Sequence, residues 1–127
     1  MSYRLERDKT KTTPYILIDE ERSLIRFEGE SYLEDITSFF NEINEWLEKY
    51  LASDFKTLTF DCALEYFNSS TAKLLFNMLR AMDESAASGK KLIVNWIIAK
   101  HDEMLIECGE DFKEEMEYLE FNLIING

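Results

Sequence analysis

Apolar positions recur along this chain with two periods, and the places where one gives way to the other mark its elements. Tyr15-Ile16-Leu17-Ile18-Asp19 is a short β-branched run that predicts a strand, and Ser23-Leu24-Ile25-Arg26-Phe27-Glu28 predicts its hairpin partner, with Gly29 as a breaker. From Leu33 to Leu51 the period lengthens: Ile36, Phe40, Ile43, Leu47 and Tyr50 form one helical stripe, while Glu42, Glu45, Glu48 and Lys49 face elsewhere. Alternation then returns. Leu58, Phe60, Cys62, Leu64 and Tyr66 interleave with Thr59, Asp61, Ala63 and Glu65, which predicts a strand in a sheet covered on one side. A second helix carries Ala72, Leu75, Phe76, Leu79, Met82 and Ala86 inward and stops at Gly89. Lys91-Leu92-Ile93-Val94-Asn95-Trp96-Ile97-Ile98 predicts a central strand. Residues 102–117 predict a helix with Leu105, Cys108, Phe112 and Met116 inward, and Phe121 to Asn126 a closing strand.

The order is β-β-α-β-α-β-α-β. Right-handed crossovers pack such an order as one mixed sheet with helices mainly on one face, an α/β (α+β) arrangement. Residues 1–13, polar and basic through Arg4, Arg7, Lys9 and Lys11, read as a flexible arm that ends at Thr13-Pro14. Residues 14–127 form the one domain that a length of 127 accommodates.

Composition narrows the function. With 46% apolar residues, the chain can build a core. It carries 26 acidic against 14 basic residues, a net charge of −12. A surface this negative repels phosphate backbones and anionic headgroups, which argues against nucleic acid and membrane as partners. No apolar run reaches a membrane-spanning length, and Met1 to Arg7 lacks a signal-peptide core, so a cytoplasmic location is expected. Cys62 and Cys108 read as reduced, half-buried thiols, and His101 as a solvated loop residue.

Catalytic readings find little support. The four glycines form no phosphate cradle, and the single histidine has no nucleophile in an obvious catalytic context. Ser70-Thr71-Ala72-Lys73 matches S-x-x-K, but the chain has no K-T-G partner. Glu103, Glu107, Glu110 and Glu114 recur at helical spacing and read as a solvated outer face; a docking patch for a basic partner is the sharper alternative. No cofactor, metal ion or catalytic residue is expected. What remains is Glu65-Tyr66-Phe67-Asn68-Ser69-Ser70-Thr71-Ala72-Lys73, where a strand hands over to a helix. Helix capping alone accounts for an Asn-Ser-Ser-Thr cluster. The same position also suits a phosphate, because a helix N-terminus offers unpaired N–H groups and partial positive charge.

Several segments together resemble a known family. They are Thr13-Pro14, Gly29-Glu30-Ser31-Tyr32, Trp46-Leu47-Glu48-Lys49-Tyr50, Leu64-Glu65-Tyr66-Phe67-Asn68-Ser69-Ser70 with Lys73, Asn95-Trp96, and Asp102 through Phe112. Their order and spacing resemble the SiaC family of bacterial regulatory phosphoproteins, similar in design to STAS-type anti-sigma-factor antagonists. The resemblance implies a STAS-like, non-enzymatic partner switch in cyclic-di-GMP signalling. It further implies that a dedicated Ser/Thr protein kinase phosphorylates the hydroxyl after the Asn, here Ser69 with Ser70 as runner-up, and that a PP2C-type phosphatase removes the phosphate. On the same resemblance, the unmodified form is expected to bind and activate a downstream target such as a diguanylate cyclase. Glu65, Tyr66, Asn68, Ser69, Ser70 and Lys73 are the expected partner-binding residues. The chain departs from the family pattern at Leu33 and Asp35 and at Ile97-Ile98-Ala99-Lys100, which bears on the partner's identity. A constitutive acidic interaction domain without phosphorylation is the alternative.

Overall fold

Residues 2–126 are described by the computed structural model; Met1 and Gly127 lie outside the described residues. Six strands, β1 (Arg4–Arg7), β2 (Tyr15–Asp19), β3 (Leu24–Ser31), β4 (Thr57–Phe67), β5 (Lys91–Ile98) and β6 (Glu120–Ile125), lie in sequence order across one sheet. The first three pair antiparallel, and β3 to β6 pair parallel. Helices α1 (Ile36–Leu51), α2 (Ser69–Ala86) and α3 (Glu103–Glu115) make the three parallel connections. Each connection advances one strand in the same direction, so crossovers of one hand place all three helices on one face. That face carries the core. Phe27 of β3 meets Phe60 of β4 edge-on at 4.9 Å and Phe40 of α1 at 5.5 Å, and all three are fully buried.

The opposite face mixes apolar residues such as Leu17, Ile93 and Ile97 with a polar row. Neighbouring strands align Arg26, Asp61, Asn95 and Asn122 in one row. Arg26 Nη1 donates to Asp61 Oδ2 at 3.1 Å, Asn95 Nδ2 to Asp61 Oδ1 at 2.8 Å, and Asn122 Nδ2 to Asn95 Oδ1 at 3.0 Å. Each of these half-buried groups therefore has a partner without any covering layer.

The mixed sheet follows the expected order, with one strand added in front. Part of the segment read as a loose arm is an edge strand: Arg4–Arg7 pairs with β2 from Arg4↔Asp19 to Arg7↔Ile16. Alternation explains it, for Tyr3 and Leu5 pack against the core between the charged Arg4 and Glu6. Tyr3 bonds Glu42 on α1 and stacks near Trp46 at 6.3 Å, while Arg7 Nη2 reaches Glu42 Oε1 at 2.8 Å. Two helix ends also differ from the pattern. The first helix begins at Ile36, because Asp35 caps it by accepting from the Ser38 N–H at 3.3 Å. The third ends at Glu115, where Met116 turns extended.

Close approach fixes α3 on the sheet. A Cβ on Gly109 would stand 2.5 Å from Trp96 Cδ1 and 2.6 Å from Leu123 Cδ1. The Trp96 ring cannot yield easily, since its Nε1–H donates to the Leu105 carbonyl at 3.0 Å. Both thiols are free, and burial pushes Cys62 up to about 12 and raises Cys108 as well, with Asp111 adding to the latter. Cys62 is fully rather than half buried.

Asp83, near the end of α2, clamps the approach to β6. Its Oδ1 accepts from the backbone N–H groups of Tyr118 at 2.7 Å, Leu119 at 2.9 Å and Glu117 at 3.1 Å. Partial burial opposes its charge, but these three donors outweigh that and hold its carboxyl below the usual range. Replacing Asp83 by Ala should cost about 1.5–3 kcal/mol at neutral pH, the scale of hydrogen bonds to a charged group. Because the folded value is the lower one, the contribution is complete above the unfolded carboxyl value of about 3.9 and fades as pH falls through the folded value. Urea unfolding of both proteins should show a gap that is constant near neutrality and closes in acid; a gap unchanged at pH 3 would refute the clamp.

Candidate functional site

A slip in strand register shapes the turn between β4 and α2. β3 and β4 stay in step from Leu24↔Thr59 to Gly29↔Leu64, and then Glu30 faces Tyr66 and Ser31 faces Phe67, leaving Glu65 as the extra residue of a bulge. Gly29 is thus no terminator. At φ +99° it takes a conformation other residues rarely adopt, and the strand continues through it to Ser31. The bulge also breaks the alternation that would bury Tyr66. Glu65 and Tyr66 are both exposed, and Phe67 returns to the core side, edge-on to Trp96 at 5.9 Å. Tyr66, expected in the inward row by spacing, instead stands 47% exposed and stacks on Tyr32 with ring centroids 4.6 Å apart.

Beyond the bulge, Asn68 caps α2 with unusually complete bonding. Its Oδ1 accepts from the Thr71 N–H at 3.0 Å and the Thr71 hydroxyl at 2.9 Å. Its Nδ2 donates to the Leu33 carbonyl at 2.9 Å, and its backbone N–H to the Ser31 carbonyl at 3.2 Å. Thr71 Oγ1 and Ser31 Oγ lie 2.7 Å apart, and both residues are fully buried. One small network therefore joins the end of β3, the entry to α1 and the start of α2.

The hydroxyls of the turn accordingly divide. Thr71 is sealed inside and structural, whereas Ser69 and Ser70 occupy the first two helical positions and are exposed. Capping and exposure coexist on this turn, because different residues carry them. Of the other expected partner residues, Asn68 is half-buried as the cap, and Glu65, Tyr66 and Lys73 are exposed around it. Ser69 and Lys73 stand one helical turn apart.

Two neighbours were not singled out by spacing. Tyr32 is 43% exposed, and the nearby Glu30 carboxylate pushes its hydroxyl's titration up. Met104 is 81% exposed at the start of α3, whose cap Asp102 accepts from the Met104 and Leu105 N–H groups at 3.0 and 3.2 Å. Tyr66, Phe67, Met104, Leu105 and Cys108 line an apolar notch of about 190 Å3, with Glu65 and Asp102 also on its walls. Met104 opens an acidic, capped helix, and nothing in its spacing separates it from a solvated residue. Glu103, Glu107, Glu110 and Glu114 are all exposed, as a solvated face requires. His101 is exposed and 2.7 Å from Glu103. Among the described residues, no group of three His, Cys, Asp or Glu side chains could hold a metal ion, and no helix is long and apolar enough to cross a membrane.

The division of labour among the hydroxyls has a measurable consequence. Thr71→Val strands the Ser31 hydroxyl in the core and should cost about 1–3 kcal/mol. Ser69→Ala, at an exposed position, should stay within about 0.5 kcal/mol of wild type. Denaturant titration decides; equal costs at the two positions would mean that the buried network does not hold the turn.

Comparison with known proteins identifies a family and a shared fold. Over residues 7–126 the chain matches the family model described as SiaC family regulatory phosphoprotein. An uncharacterized protein of Pseudomonas aeruginosa (strain UCBPP-PA14) is 28% identical over 109 residues, covering 86% of each chain. Apo-SiaC from Pseudomonas aeruginosa superposes with a TM-score of 0.86 at 26% identity, over 96% of this chain and 98% of that one. The SiaC in a crystal structure of the diguanylate cyclase SiaD with its activator SiaC, from the same organism, gives 0.89 at 26% identity over 95% and 98%. With an architecture shared end to end and a family match across nearly all its length, this chain belongs to the SiaC family of regulatory phosphoproteins.

Proposed function

We propose that this protein is a non-enzymatic, cytoplasmic partner switch controlled by phosphorylation of Ser69, with Ser70 as the second candidate. A Ser/Thr kinase adds the phosphate and a PP2C-type phosphatase removes it. The unmodified form binds and activates a downstream target, a diguanylate cyclase, in the manner of the SiaC captured with SiaD. The observation that carries this reading is the exposed Ser69-Ser70 pair on a turn whose own integrity depends on the half-buried cap Asn68 and on the buried Thr71 and Ser31.

A phosphoserine brings about −1.5 to −2 charges and three acceptor oxygens. At the first turn of α2 that charge meets unpaired N–H groups and the positive end of the helix, an arrangement worth roughly 0.3–1 kcal/mol in its favour. The fold therefore tolerates the modification. A partner seated over Glu65, Tyr66 and Lys73 does not, because a bulky, strongly hydrated group now stands in its contact. The rival reading, a constitutive acidic docking domain, draws on the exposed Glu103, Glu107, Glu110 and Glu114. It requires no phosphate, and intact mass measurement on protein from the native host separates the two.

The direct test compares Ser69→Ala, Ser69→Asp and wild type for binding to the diguanylate cyclase of the same host. Ser69→Ala should bind like wild type, and Ser69→Asp at least about tenfold more weakly, a difference of ~1.4 kcal/mol. Melting temperatures should stay within about 2 °C of one another, the signature of an exposed substitution. Indistinguishable binding by all three would overturn the switch, and loss confined to Ser70→Asp would move it by one residue.

A further inference from the structure

We propose that Tyr32, Tyr66 and Met104 frame the anchor point of the partner, and that the notch beside them takes an apolar side chain standing next to a Lys or Arg. The proposal rests on the partner-switch reading for the existence of a partner, and adds where that partner sits and what chemistry it presents.

Large apolar side chains left in water mark contact surfaces when they cluster. Among the described residues five are strongly exposed: Tyr32, Tyr66, Met104, Tyr118 and Ile125. Three of them stand together, since Tyr32 stacks on Tyr66 and Tyr66 shares the notch with Met104. They come from three separate strand-to-helix junctions, Tyr32 just after β3, Tyr66 near the end of β4 and Met104 at the start of α3. Tyr66 reaches the surface only because the bulge displaces it from the inward row. Stacked tyrosines supply rigid contact area at low entropic cost, and methionine adapts to the shape it meets.

Charge selects the occupant. Glu65 and Asp102 line the notch, Glu30 lies against the Tyr32 hydroxyl, Glu103 follows Asp102, and no basic residue is among the lining residues. Burying those carboxylates under a neutral or acidic segment leaves them without a counter-charge, whereas a guanidinium or ammonium beside the apolar anchor neutralises them. A phosphate at Ser69 has the same sign as the notch and does not repel this occupant by charge. It acts instead through bulk and hydration, at the edge of an apolar contact that must become dry.

Amide NMR spectra of the unmodified protein, titrated with three short synthetic peptides, test the assignment. One alternates Leu with Arg, one Leu with Glu and one Ser with Arg. The Leu–Arg peptide alone should shift the amides of Tyr32, Glu65, Tyr66, Met104 and Leu105. Met104→Asp and Glu65→Lys, both at exposed positions, should each weaken it by about tenfold or more without changing the rest of the spectrum. The notch is overturned by an absence of shifts at millimolar peptide, by an equal response to the Ser–Arg or Leu–Glu peptide, or by shifts confined to the outer face of α3 at Glu107, Glu110 and Glu114. A peptide map on the notch together with Ser69→Asp binding the cyclase normally would keep the notch and sink the switch. The reverse pair of results would keep the switch and sink the notch.

Discussion

The buried bonds among Ser31, Asn68 and Thr71 hold three elements at one point, and the exposed chemistry of the turn depends on them. Asn68 spends both ends of its amide on backbone and side-chain partners, and Thr71 closes the circuit with Ser31 inside the core. With the helix start secured from within, the residues facing outward carry no structural duty. Ser69 and Ser70 can change chemically while α2 keeps its place. If the outer hydroxyls did the capping, as the residue types alone would allow, any modification would trade stability for signal.

Magnitudes support that separation. A capping residue contributes roughly 0.5–2 kcal/mol, and a buried hydroxyl left without its partner costs about 1–3 kcal/mol. The interaction of a surface phosphate with a helix N-terminus is smaller, roughly 0.3–1 kcal/mol at an exposed position, and here favourable. Acidic neighbours such as Glu65 oppose it over distances that physiological salt screens within about 8 Å. A phosphate on this turn would therefore change what the surface presents to a partner far more than the population of the folded state.

Much of this was legible in the sequence, and the gaps have identifiable causes. The parallel half of the sheet and its helices follow from period changes alone, since β5 coincides with the run Lys91 to Ile98 and the remaining boundaries move by a few residues. The Asn-Ser-Ser-Thr segment announced a helix start because few residue types cap well. Spacing could not reveal the bulge. Gly29 reads equally as an end or as a kink, and a one-residue slip inverts every later side chain, which is why Tyr66 was expected to face inward by alternation. The strand at Arg4–Arg7 escaped notice because four residues with three charges resemble a solvated arm; its evidence lies in tertiary contacts from Tyr3 and Arg7 to Glu42. Which hydroxyl of the cluster is buried is likewise a tertiary fact, decided by Ser31 arriving from another strand.

Topology explains why the candidate site gathers where it does. In β3, β4 and β5 the chain runs the same way, so the connections leaving their carboxyl ends emerge along one edge of the sheet. Tyr32 follows the first, Asn68 and Ser69 the second, and Asp102 and Met104 the third. Residues some seventy positions apart thus come to one surface. The bulge then adds the single irregularity that turns Glu65 and Tyr66 outward at the middle of that row. A regular parallel sheet supplies the edge, one displaced residue turns Glu65 and Tyr66 outward on it, and the Asn68 cap behind it leaves Ser69 and Ser70 exposed.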